Sequence, residues 1–148
     1  MGQQLTRSAT LRWTTDPPGG VGRVSVASGA FAALAISLAE GDPHPRESTP
    51  GELLASALAG YLGMHLALRM QRHGTPLREL VVEVQLSITP WPSYTTRTIT
   101  FAVRGRPGDG KTLTGEEFAA ATREALDTAT ENMGLRPGLI QLGECELA

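Results

Sequence analysis

The sequence predicts an α+β domain in which two helices interrupt a series of strands, in the order β-β-β-α-β-β-α-β. Three observations carry this. An apolar stretch opens with a complete helix-start signature at Thr49 to Glu52. A segment after Pro76 alternates apolar and polar residues with the period of a strand. A second helix-start signature stands at Thr114 to Glu117. The 148 residues suit one domain over 1–148, large enough to bury roughly 70% of the surface of its extended chain.

Ser8 to Trp13 alternates weakly and makes the first expected strand. In the following TTDPPGGVGR, Pro17, Pro18, Gly19, Gly20 and Gly22 form a turn, and Val21 to Ala27 returns as the second strand. The GGVG run opens no helix, so it lacks the N-terminal amides with which glycine-rich loops bind phosphate. Phe31 to Leu38 makes a third strand and runs into a polar loop kept irregular by Pro43 and Pro45.

The main helix then starts at Thr49, with Pro50 in the first helical position and Glu52 completing the capping box. It runs to about His73, where Gly74 takes the left-handed stop position and Arg69 and Arg72 complement the dipole. Its apolar residues, from Leu53 and Leu54 to Leu68 and Met70, go most of the way round its circumference. A helix apolar all round must be covered on all sides, which one small domain does with difficulty. That points to a partner subunit.

After Pro76, Leu80, Val82, Val84, Leu86 and Ile88 share one face of a half-buried antiparallel strand. PWPS turns the chain, and Tyr94 to Val103 returns with Ile99, Phe101 and Val103 inward. The second helix covers GEEFAAATREALDTATEN, and Leu139 to Leu147 forms the last strand.

Composition narrows the function classes. A net charge of −2 offers no electrostatic footprint for nucleic acid, and no run of like charge marks a membrane-binding stripe. The most apolar stretch, Leu53 to Leu68, is shorter than the ~20 residues a membrane span needs. The start, MGQQLTRSATLRW, is polar and reads as no secretion signal. A single cysteine, Cys145, excludes a disulfide framework and a cysteine-based zinc site, and suits a reducing cytoplasm. His44, His65 and His73 share no metal-ligand spacing, so neither a metal nor another cofactor is expected. One lysine among thirteen basic residues fits a GC-rich bacterial genome.

The segment STPGELLASALAGYLGM, Ser48 to Met64, resembles the T-N-P-E-E-L helix start of the OsmC/Ohr family. These are the osmotically inducible and organic hydroperoxide resistance proteins, in which a cysteine follows inside the helix ten residues after the first Glu. The alternating hairpin and the second helix, ending in ENMGLRPGL, fit the family's order, so the resemblance spans nearly the whole chain. It implies an OsmC-like fold with a long buried central helix, an intertwined homodimer, and a link to oxidative stress.

In active members, the resemblance further implies, a buried helical thiolate attacks a hydroperoxide and a second cysteine closes a disulfide with it. An Arg lowers the thiolate's pKa and the helix-start Glu holds that Arg. The physics is a thiolate that needs a fixed positive charge inside an apolar helix. Here the nucleophile's position falls on Tyr61, the helix-start Glu on Gly51 with Glu52 beside it, and the resolving cysteine on Met133 in the second helix. The nearest match to the activating Arg is Arg23, across a one-residue gap.

A phenol, with an ordinary pKa of about 10, is a poor nucleophile and a poor reductant of peroxides. Two-cysteine chemistry within one subunit is therefore excluded. Cys145 reads as a small buried or half-buried hydrophobe of the last strand, though its thiol could pair across subunits. His65 follows Tyr61 by four residues and shares its helix face. Ala57, Gly60 and Gly63 leave room around the ring.

Three readings follow. In the first, the old active-site pocket, lined by Tyr61, His65, Met133, Glu52 and Arg23, takes a small apolar ligand in a binding or regulatory homodimer. The second is a stress-response enzyme of OsmC/Ohr type with non-cysteine acid-base groups. The third is a dimeric interaction module.

Overall fold

Thr49 and Glu52 start the long helix as their spacing predicts. In a computed structural model of the protein, which describes residues 4–14, 21–37, 46–89 and 95–148, the Glu52 amide donates to Thr49 Oγ1 at 3.1 Å. The Thr49 amide donates to Glu52 Oε2 at 2.9 Å. Helix α1 spans Pro50–Arg72. Gly74 (φ 76°) ends it, and the Thr75 amide reaches back to the Met70 carbonyl at 3.0 Å, a Schellman closure. The backbone forms two compact units, Met1–Leu53 and Leu54–Ala148.

The first unit carries a three-stranded antiparallel sheet of β1 (Ala9–Thr14), β2 (Val21–Val26) and β3 (Leu34–Ile36), in that spatial order. Every residue of β1 is exposed, Leu11 and Trp13 included. β3 starts three residues after the expected Phe31, because the chain turns after β2 with Gly29 at φ 75° and Ala33 at φ 53°; the expected end at Leu38 lies outside the described residues. A left-handed alanine is unfavourable by itself. Two side chains of β2 hold it: Ser25 Oγ accepts from the Ala33 amide at 2.9 Å, and Arg23 Nη1 donates to the Ala33 carbonyl at 3.1 Å. The expected turns at Pro17–Gly20 and Pro90–Ser93, and most of the Pro43–Pro45 loop, lie outside the described residues.

The second unit is a sheet of β4 (Leu77–Thr89), β5 (Thr95–Pro107) and β6 (Ile140–Leu147), with β5 in the middle. β4 and β5 pair antiparallel, whereas β5 and β6 run parallel. A parallel neighbour requires a crossover. Helix α2 (Gly115–Asn132) lies within that connection, followed by one 3-10 turn, Pro137–Leu139, which the sequence reading did not separate from the last strand. The capping box of α2 is complete: the Thr114 amide donates to Glu117 Oε2 at 2.8 Å and the Glu117 amide to Thr114 Oγ1 at 3.1 Å. Hydrogen bonds from the Thr114 backbone amide first, and from the Thr114 side chain second, hold the Glu117 carboxyl below its ordinary range. Glu117 therefore stays ionised at neutral pH, and the cap weakens only as acid protonates it.

The core of this unit lies on one face of the sheet. Leu58, Leu62, Leu66 and Met70, spaced by four along α1, join Ile99, Phe101 and Val103 of β5 and Phe118, Ala125 and Leu126 of α2. Burial of α1 within the chain is confined to this stripe: Leu54, Met64 and Leu68 are 45%, 51% and 44% exposed. By length and composition the 23-residue helix would suffice to cross a membrane. Its buried stripe instead makes it a core helix of this sheet.

Among the described glycines, Gly105 of β5 leaves the least space for a side chain. A Cβ there would stand 2.6 Å from Cζ of Phe118, whose ring is fully buried and has nowhere to retreat. Gly105→Ala is therefore expected to destabilise the chain by about 1–3 kcal/mol through overpacking. Urea unfolding measures this, and pairing it with Phe118→Leu should recover part of the loss. Equal stability of Gly105→Ala and the parent would show that the ring yields.

Candidate functional site

Tyr61 and His65 stand four residues apart on α1, and their rings meet with centroids 4.8 Å apart at an interplanar angle of 49°. Both are half-buried. They belong to the side of α1 that carries the exposed Leu54, Ala57, Met64 and Leu68. Leu54, Ala57, Tyr61, Met64 and Leu68 are spaced alternately three and four residues apart, the heptad spacing of a helix seam. The pair thus combines an apolar surround with a phenol hydroxyl and imidazole nitrogens.

A Cβ on Gly60 would meet nothing within 4 Å apart from its chain neighbours, whereas one on Gly63 would lie 3.8 Å from Cγ2 of Val82 in β4.

The other expected site residues are distributed as follows. Gly51 and Glu52 occupy the first turn of α1, where Glu52 is committed to the cap of Thr49. Arg23 is an exposed residue of β2, cross-strand from Arg12, with a hydrogen bond to the Ala33 carbonyl. These three belong to the first unit; Tyr61, His65 and Met133 belong to the second.

Met133 directly follows α2, whose span Gly115–Asn132 is the one expected from the sequence; it is the C-cap, with φ −88° and ψ −3°, because Gly134 (φ 64°) ends the helix by the same left-handed stop as Gly74. Its half-buried side chain packs against the core. Cys145 sits in β6 beside Val103 of β5, half-buried against the same core, as its sequence context suggests.

One concavity escaped the sequence reading. A groove of about 330 Å³ lies between the last turns of α1 and the first turns of α2, lined among others by Arg69, Met70, His73, Glu117, Ala121 and Glu124. Arg69 and Glu124 form an ion pair across it. Nothing in the sequence spacing brings these two helix ends together; only the capping boxes and stops, which fix where each helix ends, hint at its walls.

No protein-family model and no curated protein sequence matches the chain. Solved structures do. The organic hydroperoxide resistance protein of Elizabethkingia anophelis, with crystallant-derived thiocyanate bound, superposes with a TM-score of 0.74 at 15% identity, covering 100% of this chain and 99% of its own. OhrB of Bacillus subtilis gives 0.68 at 16% identity over 97% and 98% of the two chains. An organic hydroperoxide resistance protein of Vibrio cholerae, with captopril bound in one of its active sites, gives 0.67 at 17% over 99% and 94%. Agreement along whole chains at such identities is agreement of backbone, and the α+β architecture of this chain is the OsmC/Ohr fold.

Proposed function

We propose that the protein is a homodimer that binds a small, largely apolar molecule beside Tyr61 and His65 and has no thiol peroxidase activity. The observation that carries this reading is the Tyr61–His65 ring pair on an open apolar stripe of α1. It stands where the resemblance puts a nucleophilic cysteine, while the chain's one cysteine lies in β6. Support also comes from the Vibrio cholerae relative, whose active site takes captopril, a small molecule. In this chain the aromatic wall would pack the apolar body of a ligand, and the hydroxyl or imidazole would orient one polar group.

The same ring contact favours a second reading, in which Tyr61 and His65 act as an acid-base pair. Tyr61→Ala separates the two. In a binding protein it is expected to change the Kd of an apolar fluorescent probe at least threefold while the protein stays dimeric in sedimentation. Unchanged probe binding removes Tyr61 from the site. A turnover whose pH profile disappears in both Tyr61→Phe and His65→Ala would establish the enzymatic reading instead.

A further inference from the structure

We infer that the groove between the end of α1 and the start of α2 is a second binding site, and that it takes a small organic cation: an ammonium on an apolar body. This does not depend on the reading of Tyr61 and His65, which do not line the groove.

The floor is apolar and the rim is charged. Met70, only 3% exposed, and the half-buried Leu113 and Ala121 form the floor with Ala120. Glu117 stands one helical turn before Ala120 and Ala121, and Glu124 one turn after them, so the two carboxylates bracket an apolar patch on one side of α2. The bracket spans about 10 Å at 1.5 Å per residue.

Charge decides the ligand. Arg69 is the one guanidinium among the described lining residues, and its ion pair with Glu124 balances that end. Glu117 then leaves one carboxylate without a positive partner among the described lining residues. Its hydrogen bonds from the Thr114 amide, which donates to Oε2, and from the Thr114 side chain keep it ionised. An anion would meet two carboxylates for one arginine. A cation would place its charge at Glu117 and its body over Ala120, Ala121 and Leu113, with the hydroxyls of Thr75 and Thr112 and the His73 imidazole at the rim. Taking the ~30 Å³ of a liquid water as the space per non-hydrogen atom, the groove holds on the order of ten.

Phenethylammonium, titrated into the full chain at low ionic strength and followed by amide NMR, tests this against 3-phenylpropanoate, an anion of similar shape. The ammonium is expected to saturate shifts around Leu113 and Ala121, with Kd near the millimolar range. Glu117→Gln, which keeps an oxygen for the cap, should weaken it about three- to fivefold, the modest size of an exposed charge contact. Ala120→Leu, at an exposed position suited to helix, should fill the groove and weaken it at least tenfold. Far-UV circular dichroism confirms that both variants fold. The proposal is overturned if the ammonium causes no saturable shift by 20 mM, if both variants bind it as the parent does, or if the anion binds as tightly.

Discussion

Given an organic hydroperoxide and an excess of dithiol, the purified protein is expected to consume peroxide no faster than its Cys145→Ser variant. Thiol peroxidase turnover takes two electrons from a thiolate, forms a sulfenate, and returns to the thiol through a disulfide. Within one chain no second sulfhydryl exists to close that disulfide. Cys145 lies in β6, half-buried, with Val103 beside it and the core behind it. The guanidinium suggested for activation, Arg23, donates to the backbone carbonyl of Ala33. A phenol at position 61 cannot accept the peroxide oxygen as a thiolate does, so the loss should be complete rather than partial. Rapid turnover that vanishes in Cys145→Ser would show that this cysteine has taken over, with the external dithiol resolving its sulfenate.

Much of the fold was readable because its boundaries are written locally. Both capping boxes and the Gly74 stop predict where α1 begins and ends and where α2 begins, and the structure places those ends within a residue or two. Strands β4 and β5 were readable from their period. What was not readable depends on pairing. The third strand loses its first residues to a turn held by Ser25 and Arg23 against a left-handed Ala33, a tertiary arrangement no local pattern announces. The parallel docking of β6 on β5 is likewise a matter of topology. At the site, the four-residue spacing of Tyr61 and His65 suffices to predict their contact, since a helix sets it. Met133 falls just past the expected and observed end of α2 as its cap, and helix ends are where side-chain roles change most sharply.

The largest structural consequence expected of a single substitution is dissociation of the proposed dimer by Met64→Glu. α1 buries one stripe in the core and leaves a second, Leu54, Ala57, Tyr61, Met64 and Leu68, with three large apolar side chains about half exposed. In water such a stripe costs about 25 cal/mol per Å² of apolar surface, and its heptad spacing suits another helix surface rather than a scatter of contacts. A second copy offers the same stripe, and in a two-fold assembly each substitution acts twice. Glu has a helix propensity close to that of Met, and position 64 is 51% exposed in the chain, so the subunit itself should fold as before. In an interface the same carboxylate would be buried without a partner, at a cost of several kcal/mol. We expect the dimer dissociation constant to rise at least a hundredfold, or about 2.7 kcal/mol, with Leu68→Glu behaving alike. Gln85→Glu, which adds the same charge on the exposed side of β4, should leave association unchanged. Sedimentation over nanomolar to micromolar concentrations reads all three. A parent protein monomeric at micromolar concentration would remove the dimer, and a dimer indifferent to both Glu substitutions on α1 would move its interface away from Tyr61 and His65.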